Sequence, residues 1–265
     1  MGIFVAAALS TALGIWAFGT LLRQFAKVNR ELLVIFGIAL PLSPIVNIIV
    51  KGPIINYFRS LWGLQVSPSL WPWWFAVIAL GVVGVSEESI KLLPLTWRPA
   101  RARAVERSGV AMLAMVIGLG FGIGEAWFLA WRIYRSQPHI AHLPFYELTG
   151  FTAERVLAMA LHSVLVSLPV SGILLNRTRF TQRLMGAMGL HCVVDLGPML
   201  FQTGIISVVP AFALVLLTFV PIVNRSLKYL DPLLRSGKKR SLDAGRVMFR
   251  RSDYENRGSA PPPMD

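Results

Sequence analysis

The chain has 265 residues, of which 55% are hydrophobic and only 15% charged, with a mean hydropathy of +0.61. A soluble domain carries nearer a quarter charged residues, so the composition excludes a string of soluble domains and predicts an all-α, polytopic membrane protein. The net charge of +13 does not mark a nucleic-acid binder. The basic residues lie between apolar runs, where cytoplasmic loops carry Lys and Arg against anionic lipid headgroups. Cys192 is the one cysteine, which excludes an intrachain disulfide and a Cys-based metal cage.

About 20 apolar residues cross a bilayer. That length predicts seven spans, at roughly 2–22, 31–50, 72–95, 108–131, 153–175, 181–202 and 204–223. The first is read as an uncleaved span, because no basic residue precedes it and no cleavage site follows. Basic clusters come after alternate spans: Arg23, Lys27 and Arg30; then Arg98, Arg101, Arg103 and Arg107; then Arg177, Arg179 and Arg183; then Arg225, Lys228, Arg235, Lys238, Lys239 and Arg240. The positive-inside rule then sets the N-terminus outside and the C-terminus in the cytoplasm. A transmembrane domain over 1–223 is expected, with a basic, disordered tail over 224–265.

Pro41 and Pro44 are expected to kink the second span. The segment from Lys51 to Pro72, with three prolines and several Trp residues, reads as an interfacial or re-entrant element or as a loop with an aromatic belt. His139 and His142, in the loop expected at 132–151, read as solvated.

The third span carries Gly84-Val85-Ser86-Glu87-Glu88-Ser89-Ile90-Lys91. Each charge in a span costs roughly 2.5–3.5 kcal/mol on insertion scales, so a retained cluster points to a functional site. Glu87 and Lys91 are spaced to pair at i,i+4, with Glu88 turned about 100° away. Glu125 lies in the fourth span behind Phe121, His162 in the fifth, and His191 in the sixth with Asp195 one turn on. Arg155, at the outer end of the fifth span, reads as a snorkelling residue before a site residue. Gly118, Gly120, Gly122 and Gly124 would let another helix approach the fourth span closely. By rise per residue, His162 and Glu125 lie roughly 15 and 9 Å deep, whereas Glu87 and Glu88 come out beyond about 20 Å, which leaves their meeting open.

The residue types suit water activation. A buried glutamate can take a proton from water, a second carboxylate and a histidine can position that water, and His191 with Asp195 can stabilise an oxyanion. Glu88, Glu125, His162 and His191 are also candidate metal ligands that would satisfy Zn²⁺, although there is no H-E-x-x-H motif. Ser163 is a poor nucleophile, because adjacent helical side chains diverge.

Glu87-Glu88-x-x-Lys91, Phe121-x-x-x-Glu125, the mid-helix His162 and His191-x-x-x-Asp195, in this order on successive helices, resemble the PrsW family of membrane proteases. That family is distantly related to the CAAX prenyl endopeptidases. The resemblance covers residues of about 85–195 and implies a multi-pass enzyme of the bacterial plasma membrane. Its substrate would be a membrane-anchored protein, in some members an anti-sigma factor. It implies catalytic roles for Glu87, Glu88, Glu125, His162 and His191, with Asp195 supporting, and Lys91, Phe121 and Arg155 beside them. The chain departs from the family at Ala126, where Asn often follows the glutamate, and the prenyl endopeptidases carry His where this chain has Glu125. Two other readings are a proton- or cation-coupled transporter, since Glu, His and Asp chains also relay protons, and a non-catalytic adaptor on the same fold.

Overall fold

The computed structural model describes residues 1–25, 29–104 and 107–224. The tail expected over 224–265 lies outside the described residues from position 225 onward, as does Lys27. Among the described residues the chain is helical and has no strand. Its long helices are α1 (Gly2–Phe25), α2 (Arg30–Ala39), α3 (Leu42–Ile45) continued by a π-helical turn (Val46–Lys51) and α4 (Gly52–Leu61), α5 (Trp73–Ile90), α6 (Arg98–Ala104), α7 (Arg107–Ser136), α8 (Pro138–Ala141), α9 (Thr149–Ile173) and α10 (Arg177–Gln202). A last apolar helix, α11, covers Val208–Asn224.

Five stretches among the described residues are long and apolar enough to cross a membrane: Gly2–Leu22, Arg30–Leu61, Gly109–Ser136, Phe145–Ile173 and Arg177–Gln202. The expected seven therefore reduce to five by this measure. The expected third span ends at Ile90 after 18 residues, because the backbone tightens into a 3₁₀ turn at Leu93–Thr96. The expected seventh forms the 17-residue α11, which is apolar but shorter than the five.

A correction concerns 51–72. The helix does not stop at residue 50 but runs on to Leu61, so Lys51 lies inside a span-length helix rather than at the start of a loop. Only the segment after it turns back, with Trp62 and Trp71 packed on Phe75 at ring-centroid distances of 5.9 and 4.8 Å.

The centre of the bundle is α7. Of its apolar window 78% is buried, against 33% for α1 and 28% for α10, as expected for a helix that is hydrophobic on every side. It packs on α1, α2, α3 and α9. Its glycines explain how. Gly118 and Gly122 face α9, where an added Cβ would overlap the backbone of Ser163 and lie 2.7 Å from Met159 Cγ. Gly120 and Gly124 face the opposite way, towards α2. Pro44 has no N–H to return to the Leu40 carbonyl. That carbonyl oxygen sits where a Cβ on Gly124 would fall. The small-residue stripe thus presses α7 between two neighbours at once.

Large apolar side chains on the outside, among them Trp16, Ile49, Trp73, Val77 and Leu217, are exposed. Together with the five long apolar helices, this exterior suits a hydrocarbon surrounding rather than water.

Replacing Gly122 by Leu is expected to lower stability by about 1–3 kcal/mol through overpacking against Met159. Thermal unfolding of the detergent-solubilised protein measures it, with Gly19→Leu, at a glycine with open space around it, as the control.

Candidate functional site

The polar groups of four helices and the π-helical turn meet in one buried cluster. Glu87, Glu88, Lys91, His162 and His191 are each at most 3% exposed, and Arg155 is 8% exposed. The meeting left open by depth is therefore made. His162 and His191 sit near the middle of α9 and α10, and α5 brings its C-terminal end, where Glu87, Glu88 and Lys91 lie, to that level. Helix α5 crosses α10 at Gly84, where a Cβ would lie 2.6 Å from Cys192 Sγ and 2.8 Å from the Met188 carbonyl oxygen.

At the hub is the Lys91 ammonium. It donates to Glu88 Oε1 at 2.6 Å and to His162 Nδ1 at 2.8 Å, and lies 4.5 Å from the centre of the Phe121 ring. The pairing expected between Glu87 and Lys91 is only a 3.9 Å approach; Glu88, at i,i+3, is the close partner. The reason is local. Lys91 caps α5, and the tightened turn after it (Leu92 N to Ser89 O) favours the i+3 neighbour.

Glu87 turns instead to a residue the sequence reading passed over as a loop boundary. Its Oε1 accepts from Lys51 Nζ at 2.5 Å, across from the π-helical turn. The available signal was a lysine at the end of an apolar run with no other charge beside it.

Hydrogen-bond rules settle the histidine protons. An ammonium can only donate, so His162 Nδ1 accepts from Lys91 and Nε2–H donates to Glu125 Oε2 at 3.1 Å. His191 has Glu88 Oε1 at 2.6 Å from Nδ1 and Asp195 Oδ2 at 3.3 Å from Nε2. The Nδ1 contact with Glu88 is a hydrogen bond, and the Nε2 contact with Asp195 is a charge contact; with both carboxylates ionised, the pair favours a ring protonated on both nitrogens. The sequence spacing of His191 and Asp195 thus yields a real pair, while the stronger contact, with Glu88, comes from another helix.

Arg155 is not a snorkelling residue. It is buried, and its Nη1 donates to Glu125 Oε2 at 2.8 Å while the guanidinium also pairs with its neighbour Glu154. Phe121 stands edge-on to the His162 ring at 4.9 Å and holds it in place. Ser163 donates to the Met159 carbonyl at 2.9 Å, within its own helix, and faces away from the cluster. His139 and His142 are exposed and belong to no part of it.

Glu87, Glu88, Glu125 and Asp195 face Lys51, Lys91, Arg155 and His191, with the half-exposed Glu154 as a further carboxylate on Arg155. Two buried acceptors nevertheless have no hydrogen-bond partner, Glu87 Oε2 and Glu88 Oε2. The more accessible members of the cluster are Asp195, 34%, Glu125, 16%, and Lys51, 15% exposed by side chain.

The metal set expected from sequence (Glu88, Glu125, His162 and His191) does not converge. By donor type and spacing, the group that could hold an ion is Glu87, His162 and His191. Yet both nitrogens of His162 are engaged, one of them by an ammonium, and both nitrogens of His191 face carboxylates. A divalent ion there would sit against the Lys91 charge. These residues, as arranged, do not fit a resident zinc, and no step below passes through a metal.

No family model, curated protein or solved structure matches this chain.

Lys91→Met would leave Glu88 buried with half its compensation removed. The expected loss is about 3–5 kcal/mol, and the double change Lys91→Met/Glu88→Gln is expected to recover much of it. Unfolding of the two variants beside the native protein measures the difference.

Proposed function

We propose that this cluster is the active centre of a membrane-embedded endopeptidase, similar to the PrsW proteases, that hydrolyses a membrane-anchored protein. In this reading the chain lies in the bacterial plasma membrane as seven spans, with α5 and α11 completing the five long ones, N-terminus outside and C-terminus cytoplasmic. The observation that carries the reading is Glu87 Oε2. It is buried, accepts no hydrogen bond, and lies 3.6 Å from His191 Nε2 beside the partly exposed Asp195. A carboxylate oxygen kept free next to a charged N–H donor is the pairing a water-activating centre needs.

Glu87 takes a proton from a water molecule while the water oxygen bonds to the scissile carbonyl carbon. The carbonyl electron pair moves onto oxygen, where the positive charge of the His191 ring stabilises it, with Glu88 orienting that ring through Nδ1. The tetrahedral centre collapses and the C–N bond breaks. The amine leaves with the proton that Glu87 had accepted. Glu88 and Lys91 fix the other side of His191 and of His162, and Glu125, clamped by Arg155 and His162, forms the wall opposite Lys51.

A proton-coupled transporter would need the polar chain to lead across the membrane. Here the charged groups of four helices converge on one buried cluster, paired with one another at short range, which favours chemistry over passage.

Glu87→Gln is expected to leave the protein folded and to lower cleavage of a co-expressed single-span substrate by about 10²–10⁴-fold. Immunoblotting of the substrate with size-exclusion of the variant checks both halves, and undiminished cleavage by the folded variant would exclude the mechanism. A native protein that binds the single-span partner without cleaving it, and a Glu87→Gln variant that binds equally well, would favour a non-catalytic adaptor.

A further inference from the structure

Lys51 lies outside every motif that carries the family resemblance, yet it reaches Glu87 more closely than any other cation does. How it gets there is a matter of helix register. In an uninterrupted α-helix Ile48 and Lys51, three apart, would share a face. They do not: Ile48 is 57% exposed, whereas the Lys51 side chain is 15% exposed and turned into the bundle. The wide turn at Val46–Lys51 separates them. Its closing bond runs from the Gly52 N–H to the Asn47 carbonyl, five residues back, and Gly52 is pressed so close that a Cβ would lie 2.7 Å from that oxygen. In this geometry Val46, 1% exposed, and Lys51, five apart, both point inward. Single π-helical turns inside α-helices occur often at functional sites, where one added residue re-aims a side chain.

We propose that Lys51, aimed inward by the π-helical turn, is a positioning residue that binds one oxygen of Glu87 and so leaves the other free for the reacting water.

The geometry on both sides supports the assignment. Oε1 is held by Lys51 at 2.5 Å, while Oε2 has no hydrogen-bond partner and faces His191 Nε2 at 3.6 Å and Lys91 Nζ at 3.9 Å. Without Lys51 the carboxylate could rotate both oxygens towards Lys91, which already serves Glu88 and His162. Lys51 also lies within electrostatic reach of Glu125 and Asp195, the more accessible carboxylates of the cluster. One ammonium therefore orients the base and offsets the charge of those carboxylates. This role rests on the hydrolytic reading for its consequence, but the orientation of Glu87 can be tested without it.

The test compares Lys51→Met and Lys51→Arg with the native protein in detergent. Dicyclohexylcarbodiimide modifies protonated carboxyl groups in apolar surroundings, and peptide mass mapping reports Glu87 separately from Glu88. The groups around Glu87 are Lys51 from the π-helical turn, Lys91 from its own helix, His191 from α10 and His162 from α9. Removing the first is expected to raise labelling of Glu87 at neutral pH by about fivefold or more, with Lys51→Arg within about twofold of native. In the cleavage assay Lys51→Met is expected to lower kcat by about 10²-fold with KM little changed, and Lys51→Arg to restore most of it. Equal labelling of Glu87 in Lys51→Met and native protein would overturn the proposal, as would a Lys51→Arg variant that behaves like Lys51→Met. Should Lys51→Met not purify as a single species, Lys51→Gln carries the same comparison. A native protein that cleaves nothing would count against the proposed activity alone, since the labelling result stands apart from it.

Discussion

The Lys91 ammonium is the interaction on which the rest of the cluster depends. It has no exposed surface, and a charge so placed is tolerated only when it is fully compensated. Compensation comes from Glu88 on its own helix, from the lone pair of His162 on α9 and from the Phe121 ring on α7. By drawing on all three, Lys91 fixes how far α5 penetrates between α7 and α9. It also decides which nitrogen of His162 carries the proton, and thereby orients the bond from His162 to Glu125.

The remaining charges follow from that first choice. With Glu88 committed to Lys91 and His191, Glu87 needs another cation, and Lys51 supplies it. With His162 donating to Glu125, the other acceptor capacity of Glu125 goes to Arg155. The result is a connected network of paired charges in low-dielectric surroundings, where each pair is strong and any missing partner is costly. Its buried acceptors without a hydrogen-bond partner among the described residues are the second oxygens of Glu87 and Glu88. A network that leaves two buried carboxylate oxygens unsatisfied is arranged for something to bind there.

The architecture serves this ring through close approach. Gly118 and Gly122 bring α9 against α7, Gly124 admits the Leu40 carbonyl that Pro44 leaves without a donor, and Gly84 sets the crossing of α5 and α10. Each contact moves a helix axis by the size of a side chain. The charged groups are hydrogen-bonded at 2.5–3.1 Å, so shifts of that size would separate them. Packing of small residues and pairing of charges are two views of one constraint.

Much of this was open to reading from the residues. The apolar run lengths mark where most of the helices are, and a bilayer-sized run holding Glu, His or Asp identifies the polar set, because such groups cost too much to be scattered at random. His191 with Asp195 was legible because neighbours one turn apart on a helix are decided by local geometry. Lys91 shows the limit of that rule: i,i+3 and i,i+4 are equally near in an ideal helix, and the tightened end of α5 chose Glu88 over Glu87. Arg155 and Lys51 were misjudged, one as a snorkelling residue and the other as a loop boundary. Their partners lie 30 and 36 residues away on other helices, and for Lys51 the deciding feature is a single wide turn. Hydropathy does not register such a turn. The residues by themselves determined that carboxylates, histidines and a lysine would lie within apolar helices, because run length and residue type are properties of each segment. Only the tertiary structure decided which charge meets which, because that depends on helix tilt, crossing points and register, none of which is a property of one segment alone.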